Sequence, residues 1–76
     1  MRDICTIGEE IEKEWKTPYY AAAPYLIAMR SLKKATDFYG QETGESIVRY
    51  FLLNAAYFKG EKARELKKEL KKLLQN

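Results

Sequence analysis

The sequence contains no histidine and only one cysteine, Cys5. The absence of histidine removes the most common general base and the usual ligand sets for zinc. A single cysteine cannot form a disulfide within the chain, and it fits a reducing compartment. Its place between isoleucines favours a small buried residue over an activated thiolate. We therefore predict a protein that is not an enzyme and that binds no metal or cofactor.

Long apolar runs are also missing. The longest nearly apolar run, residues 50–58, is interrupted by Asn54. It is about half of the roughly 18 residues that a membrane-spanning helix needs. No secretory signal is visible at the start of the sequence. We expect a soluble, cytoplasmic protein that makes no membrane contact.

The chain has 76 residues, of which 46% are hydrophobic and 13% aromatic. A chain of this length forms one domain, 1–76, and buries only about 60% of its extended surface, so its stability is marginal without help. With no disulfide and no set of metal ligands, association with further copies of the chain remains as the source of additional stability. We expect a homo-oligomer in which some aromatic side chains face a second copy.

The charge is polarised along the chain. Residues 59–72 carry a net charge of +4, whereas the remainder carries −1 and includes a glutamate-rich first helix. Two interpretations stay open: the acidic and basic ends pack against each other, within a chain or between subunits, or the basic helix offers a face to phosphate.

Helical periodicity dominates the sequence, and no stretch alternates as a strand does. The first helix is predicted to start at a capping box formed by Thr6 and Glu9 and to end near Lys16. A turn or short helix over 18–23 then kinks at Pro24. The second helix is predicted from Pro24 to Tyr39, closed by Gly40 in a left-handed conformation.

The third helix is predicted to be capped by Thr43 and to be the central, buried element, with Gly60 as the hinge to the fourth. The fourth, basic and amphipathic, runs from Glu61 to about Gln75. These elements predict an all-α fold, a small bundle of about four helices. The apolar stripe of the third helix is Ile47, Val48, Phe51, Leu52, Ala55 and Phe58, and the seam of the fourth is Ala63, Leu66, Leu70 and Leu73.

Tyrosines alternate with cations along the chain, which has two interpretations. Half-buried tyrosines are typical of a core or subunit interface, whereas aromatic rings beside lysine and arginine also stack nucleobases and neutralise phosphates. Asn54, at the edge of an apolar stripe, either bonds to another helix or reads a ligand alongside Lys59. The candidate ligand-binding residues are Tyr19, Tyr20, Tyr25, Arg30, Lys34, Asn54, Lys59 and Arg64.

Most of the chain resembles a group of small proteins encoded by bacteriophages and prophages, whose C-terminal half reads approximately IVxYFLxNAxxWRGExARxIKxEL. Here Phe58 and Lys59 replace the Trp-Arg of that pattern, and lysine would hold a ligand less well than a bidentate arginine. The matching positions are Ile47, Val48, Tyr50, Phe51, Leu52, Asn54, Ala55, Gly60, Glu61, Ala63, Arg64, Lys67, Glu69 and Leu70, with Trp15, Lys16, Tyr19–Ala22, Pro24–Leu26, Ala28 and Met29 in the first half.

The resemblance implies a phage setting, in the cytoplasm of the host cell, and small phage proteins of this kind often counter host defence. The predicted function is therefore a non-enzymatic, oligomeric binding protein that sequesters a phosphate-bearing nucleotide signal. One alternative is a protein-interaction module that inhibits a host defence protein or complex. A second is a DNA- or RNA-binding regulator, which the acidic residues in the first turn of the basic helix disfavour.

Overall fold

The computed structural model describes residues 2–74, which form four helices and one two-stranded antiparallel sheet. The protein is therefore mostly helical, and the prediction of a purely helical fold was wrong at one place, the sheet. The helices are α1 (Ile4–Glu14), α2 (Ala23–Met29), α3 (Gly44–Leu53) and α4 (Glu61–Leu74), and the strands are β1 (Phe38–Tyr39) and β2 (Glu42–Thr43).

Helix α1 begins earlier than its sequence suggests. Its cap is Asp3, which makes no side-chain capping bond, and Thr6 lies inside the helix, so the predicted capping box was wrong. Two carbonyls from a distant loop take the place of a local cap: Ile4 N donates to Lys33 O at 3.0 Å and Cys5 N to Leu32 O at 2.8 Å. These bonds satisfy amide groups that a helix start leaves without partners.

Helix α2 is much shorter than predicted. Pro24 lies in its first turn rather than at a kink, as suits a residue without an amide hydrogen. The helix ends at Met29, and Leu32 N bonds to Met29 O, which closes a tight four-residue turn. Asp37 then accepts hydrogen bonds from the amides of Lys33 and Lys34, both at 3.0 Å, and so holds the following loop in a non-helical path.

The residues predicted as the end of the second helix instead form a hairpin. Phe38 pairs with Thr43 and Tyr39 with Glu42. Gly40 has the positive φ expected of it, 63°, but it serves the two-residue hairpin turn and not a helix end.

Helix α3 starts as predicted, because the Thr43 hydroxyl accepts a hydrogen bond from Ser46 N at 3.1 Å. It ends at Leu53, so the predicted extension of this helix through Phe58 was wrong. Ala55 and Phe58 are nevertheless buried, held by an irregular linker over residues 54–60. Gly60, with φ 114°, directly precedes α4, whose predicted end at Gln75 lies outside the described residues.

The core is apolar, and no polar or charged side chain of residues 2–74 is buried in it. Helix α1 packs against α2 and α4, and α3 packs against α2, β2 and α4. The Trp15 ring stacks on Phe58 with centroids 5.1 Å apart and meets the edge of Phe51 at 6.3 Å. The buried face of α4 carries Ala63, Leu66 and Leu70, with Leu73 partly buried, as its seam predicted.

The acidic and basic helices contact each other within the chain. Lys62 Nζ lies 3.3 Å from Glu10 Oε2. Arg2 also binds Glu10, and its Nε donates to Glu69 at 3.0 Å. The acidic and basic ends thus pack against each other within the chain, between α1 and α4, as one of the two interpretations of the charge pattern proposed.

Glycine 44 cannot be replaced without moving backbone. A Cβ there would lie 2.6 Å from Lys34 O, whereas a Cβ at Gly8 would meet Met29 Cβ at an ordinary 3.6 Å. We expect Gly44→Ala to lower the free energy of unfolding by about 1–3 kcal/mol. Gly8→Ala, the control, should be neutral or stabilising by up to about 1 kcal/mol through helix propensity. Urea denaturation measures both, and equal stabilities would contradict this packing.

Acid should weaken the contact between α1 and α4. The hydrogen bond from Arg2, followed by Lys62, lowers the pKa of Glu10 below its ordinary 4.5, and backbone amides lower the pKa of Asp37 below 3.8. Both carboxylates have a lower pKa in the folded protein than in the unfolded chain. Their contribution to the free energy of unfolding is therefore complete above the unfolded-state pKa and is lost as pH falls through the folded-state pKa. Thermal melts of Glu10→Gln should therefore depend less on pH below 4.5 than those of the exposed control Glu9→Gln. Identical pH profiles would refute the role of Glu10.

Candidate binding surface

Three tyrosines from two distant segments meet at the end of α3. The turn that precedes α2 presents Tyr19 and Tyr20, and the linker after α3 presents Tyr57. The Tyr19 ring contacts Tyr20 at 4.9 Å and Tyr57 at 5.0 Å between centroids, both edge to face. The adjoining hydroxyl of Tyr20, with a smaller contribution from Tyr57, raises the pKa of Tyr19.

The exposed side of α3 carries two further large apolar side chains. Tyr50 and Leu53 are three residues apart on the helix and so share a face. The Tyr50 ring packs against Tyr25 of α2 at 5.5 Å, and Leu53 is 77% exposed. We call the set Tyr19, Tyr20, Tyr50, Leu53 and Tyr57 the tyrosine face.

Asn54 has a structural role at the end of α3. Its Nδ2 donates to Tyr50 O at 2.8 Å, and its backbone forms the helix cap. The side chain thus bonds within its own helix, an outcome that neither predicted role for this residue described. It also fixes the backbone on which Tyr50 and Leu53 are presented.

A groove of about 460 Å³ separates α3 from the end of α4. Its floor is apolar, and Arg49 and Lys71 stand on opposite sides of it. Arg49 is held by Glu45, with Nη2 to Oε2 at 2.8 Å. The lining residues are Arg49, Leu52, Leu53, Lys71 and Leu74.

Lys71 lines this groove, and Lys67 lies one helical turn before it on α4. Partial burial, then repulsion from Lys71 and Lys59, lowers the pKa of Lys67. Lys67 Nζ also lies 5.8 Å from the centre of the Phe58 ring, a cation–π contact. Within residues 2–74 the ion pairs use other cations, namely Arg2, Arg30, Arg49 and Lys62. We call the groove together with Lys59, Lys67 and Lys71 the lysine groove.

The predicted ligand-binding residues do not form one site. Tyr19, Tyr20, Tyr25 and Asn54 lie at or beside the tyrosine face, and Lys59 belongs to the lysine groove. The other three, Arg30, Lys34 and Arg64, lie outside both parts of the surface. Arg30 faces Glu12 of α1 at 3.6 Å, Lys34 lines a separate cavity of about 370 Å³ beside Asp3, and Arg64 is exposed on the first turn of α4.

Sequence reasoning left Arg49, Leu53, Tyr57, Lys67 and Lys71 out of the predicted ligand-binding residues. Lys67 and Lys71 are four residues apart on one helix, a spacing that indicates a shared face. Leu53 and Tyr57 follow Arg49 at the same spacing. The four-residue spacing of each set was therefore visible in the sequence. Only the packing of α4 against α3 shows that the two sets lie on the same side of the protein.

The surface thus combines flat rings, an apolar groove and three lysines that form no ion pair within residues 2–74. Such a combination can stack a planar group and neutralise an anion. Within residues 2–74 no three acidic or cysteine side chains cluster as metal ligands do.

The fold and surface define a small, mostly helical protein with an exposed aromatic and basic face. No protein-family profile matches the sequence, and no curated protein or solved structure is significantly similar to it. No helix within residues 2–74 has the length and apolarity required to cross a membrane. The resemblance to the phage-encoded group stays a prediction.

Phe58 and its neighbour Tyr57 should differ sharply in their contributions to stability. Phe58 is 3% exposed and Tyr57 is 66% exposed. We expect Phe58→Ala to cost about 3–5 kcal/mol of unfolding free energy and to shift Trp15 emission to longer wavelength. Tyr57→Ala should cost about 1 kcal/mol, the typical energy of one aromatic contact. Urea denaturation of dilute protein, followed by the fluorescence of the single tryptophan, tests this, and similar costs would contradict the linker geometry.

Proposed function

We propose that this chain is a non-enzymatic binding protein whose ligand joins a planar ring to a phosphate, as a nucleotide does. The observation that supports the proposal most strongly is the lysine groove. Lys71 lines this apolar groove, Lys67 lies one helical turn away on α4, and none of Lys59, Lys67 and Lys71 pairs with a carboxylate of residues 2–74.

The lysines favour an anionic ligand for an electrostatic reason. Lys67 loses part of its hydration and is repelled by Lys59 and Lys71, so its charged form is destabilised in the free protein. A phosphate among the three ammonium groups would offset that repulsion. Arg49 is already engaged by Glu45 and contributes less.

The aromatic side chains favour a ligand that also carries a ring. Leu53 lies in both the groove and the tyrosine face, and Tyr50 lies one helical turn from it. Stacking of one base on an aromatic side chain contributes about 1–3 kcal/mol. A nucleotide would therefore use both parts of the surface at once.

The resemblance to phage-encoded proteins extends this proposal to a biological setting. The protein would be oligomeric, act in the cytoplasm of the host cell and sequester a nucleotide signal that host defence requires. The biological setting rests on an analogy with a class of proteins, whereas the nucleotide ligand is argued from the side chains of the surface.

A second candidate is inhibition of a host protein or complex through the tyrosine face. Tyr20 is 80% exposed and Leu53 77%, and large exposed apolar side chains are typical of interaction surfaces. A nucleic-acid regulator is a further alternative, and it predicts affinity that falls steeply with salt.

Calorimetric titration with cyclic mono- and dinucleotides, preceded by a thermal-shift screen of the same set, tests the nucleotide proposal. We expect at least one to raise the melting temperature. Lys67→Gln and Lys71→Gln should each weaken its binding by about tenfold, as the loss of one charge-assisted contact predicts. Lys13→Gln, which removes the same charge from an exposed position on α1, is the matched control.

Three outcomes would reject the nucleotide proposal. One is the absence of stabilisation by any nucleotide, and another is equal weakening by the Lys13 control. Preferential, strongly salt-dependent binding of single-stranded DNA or RNA is the third, and it would favour the regulator instead.

A further inference from the structure

Three tyrosine rings from two distant segments touch one another at the surface. The Tyr19 ring lies 4.9 Å from that of Tyr20 and 5.0 Å from that of Tyr57 between centroids, both edge to face. Tyr20 is 80% exposed and Tyr57 66%, whereas Tyr19 is half-buried and packs against the core. Phenols that are open to solvent and already in contact have the proximity that coupling of two rings requires.

We propose that Tyr19 and Tyr57 are a site of oxidative cross-linking, at which hydrogen peroxide and a peroxidase join the two rings within one chain. The bond would tie the turn that precedes α2 to the linker that follows α3. The inference does not rest on nucleotide binding, because the lysine groove takes no part in the reaction.

The reaction balances with one hydrogen peroxide per cross-link. Each phenol gives one electron and its hydroxyl proton to the oxidant, which leaves two phenoxyl radicals. The ring carbons next to the two oxygens then form a carbon–carbon bond, and the hydrogen on each of these carbons moves to the neighbouring oxygen and restores the phenol. The peroxide takes up two electrons and two protons and leaves as two waters. The chain therefore loses two hydrogen atoms in all.

Tyr57 is the better partner of the two rings that touch Tyr19. Tyr20 is the next residue along the chain, and the side chains of consecutive residues leave the backbone in different directions. A bond between the outer edges of those two rings would therefore strain the turn. Tyr57 comes from a separate segment, and its ring can reach Tyr19 by rotation about its two side-chain torsions.

A second tyrosine pair is placed less favourably for coupling. The rings of Tyr25 and Tyr50 are 5.5 Å apart, Tyr25 is half-buried, and Tyr50 is 44% exposed. The separation is longer than at Tyr19 and Tyr57, and the more exposed ring of the pair is less open to an oxidant than Tyr57. We therefore expect this pair to give the minor product.

The cross-link should stabilise the fold because it closes a long loop in the unfolded chain. The two rings already touch in the folded protein, so the bond needs little movement of the backbone. We expect the cross-linked chain to melt about 5 °C or more above the unmodified chain. A cross-linked chain that melts below the unmodified one would contradict this fit.

Limited oxidation of micromolar protein with a peroxidase and sub-stoichiometric hydrogen peroxide tests the inference. We expect a monomer that is lighter by two hydrogen atoms and shows dityrosine fluorescence, in a yield that does not change on dilution. After trypsin digestion, the cross-link should join the peptides 17–30 and 50–59. Tyr57→Phe, which keeps the ring but removes the phenol, should lower the yield of this peptide pair more than tenfold.

Three further variants serve as controls, and circular dichroism checks that each stays folded. Tyr50→Phe changes the other tyrosine of peptide 50–59 and should leave most of the product. Tyr20→Phe should also leave it. Tyr39→Phe removes a phenol with the same 44% exposure as Tyr50 that joins none of the ring contacts within residues 2–74, and it should have no effect.

Four outcomes would overturn the inference. They are cross-links found only between chains, no cross-link at all, loss of the product in Tyr50→Phe with its retention in Tyr57→Phe, and a bond confined to peptide 17–30. The last of these would mean that Tyr19 couples within its own segment. None of the four bears on nucleotide binding, which is measured without oxidant.

Discussion

The structure depends on the backbone of one irregular segment, residues 32–37, which supplies acceptors to two helices. The carbonyls of Leu32 and Lys33 accept from the first amides of α1, and Ala35 O accepts from Glu45 N at the start of α3 at 2.9 Å. Gly44 lets α3 approach this segment closely, and the Asp37 carboxylate fixes its shape. The segment thereby sets the position of α3 relative to α1, and all exposed features of α3 follow from that position.

The candidate binding surface is a consequence of how α3 ends. Its first turns are anchored at the hairpin, its inner face is buried, and Asn54 closes it one residue after Leu53. The linker then returns Phe58 to the core beneath Lys67, while Tyr57 stays outside beside Tyr19. One short linker thus separates a structural aromatic residue from an exposed one and joins the tyrosine face to the lysine groove.

Residues whose role is set by local spacing were predictable from the sequence, and residues set by distant contacts were not. The Thr43 cap, the buried seam of α4 and the positive φ of Gly40 follow from nearby residues. The early start of α1 and the short length of α2 do not follow from nearby residues, because the loop carbonyls that cap α1 come from almost thirty residues away. Tyr19, Tyr20 and Lys59 were identified by type, but their grouping required the packing of α3 against α2 and α4.

The central claim is that the outer side of α3, together with the lysine groove, is the binding surface. The most direct measurement is a two-dimensional amide NMR titration of the ¹⁵N-labelled protein with the nucleotide that stabilises it most. We predict shifts concentrated at Arg49, Leu53, Lys59, Lys67 and Lys71, with little change at Lys33 and Lys34. Shifts centred on the cavity beside Asp3 and Lys34, with the lysine groove unaffected, would contradict the account.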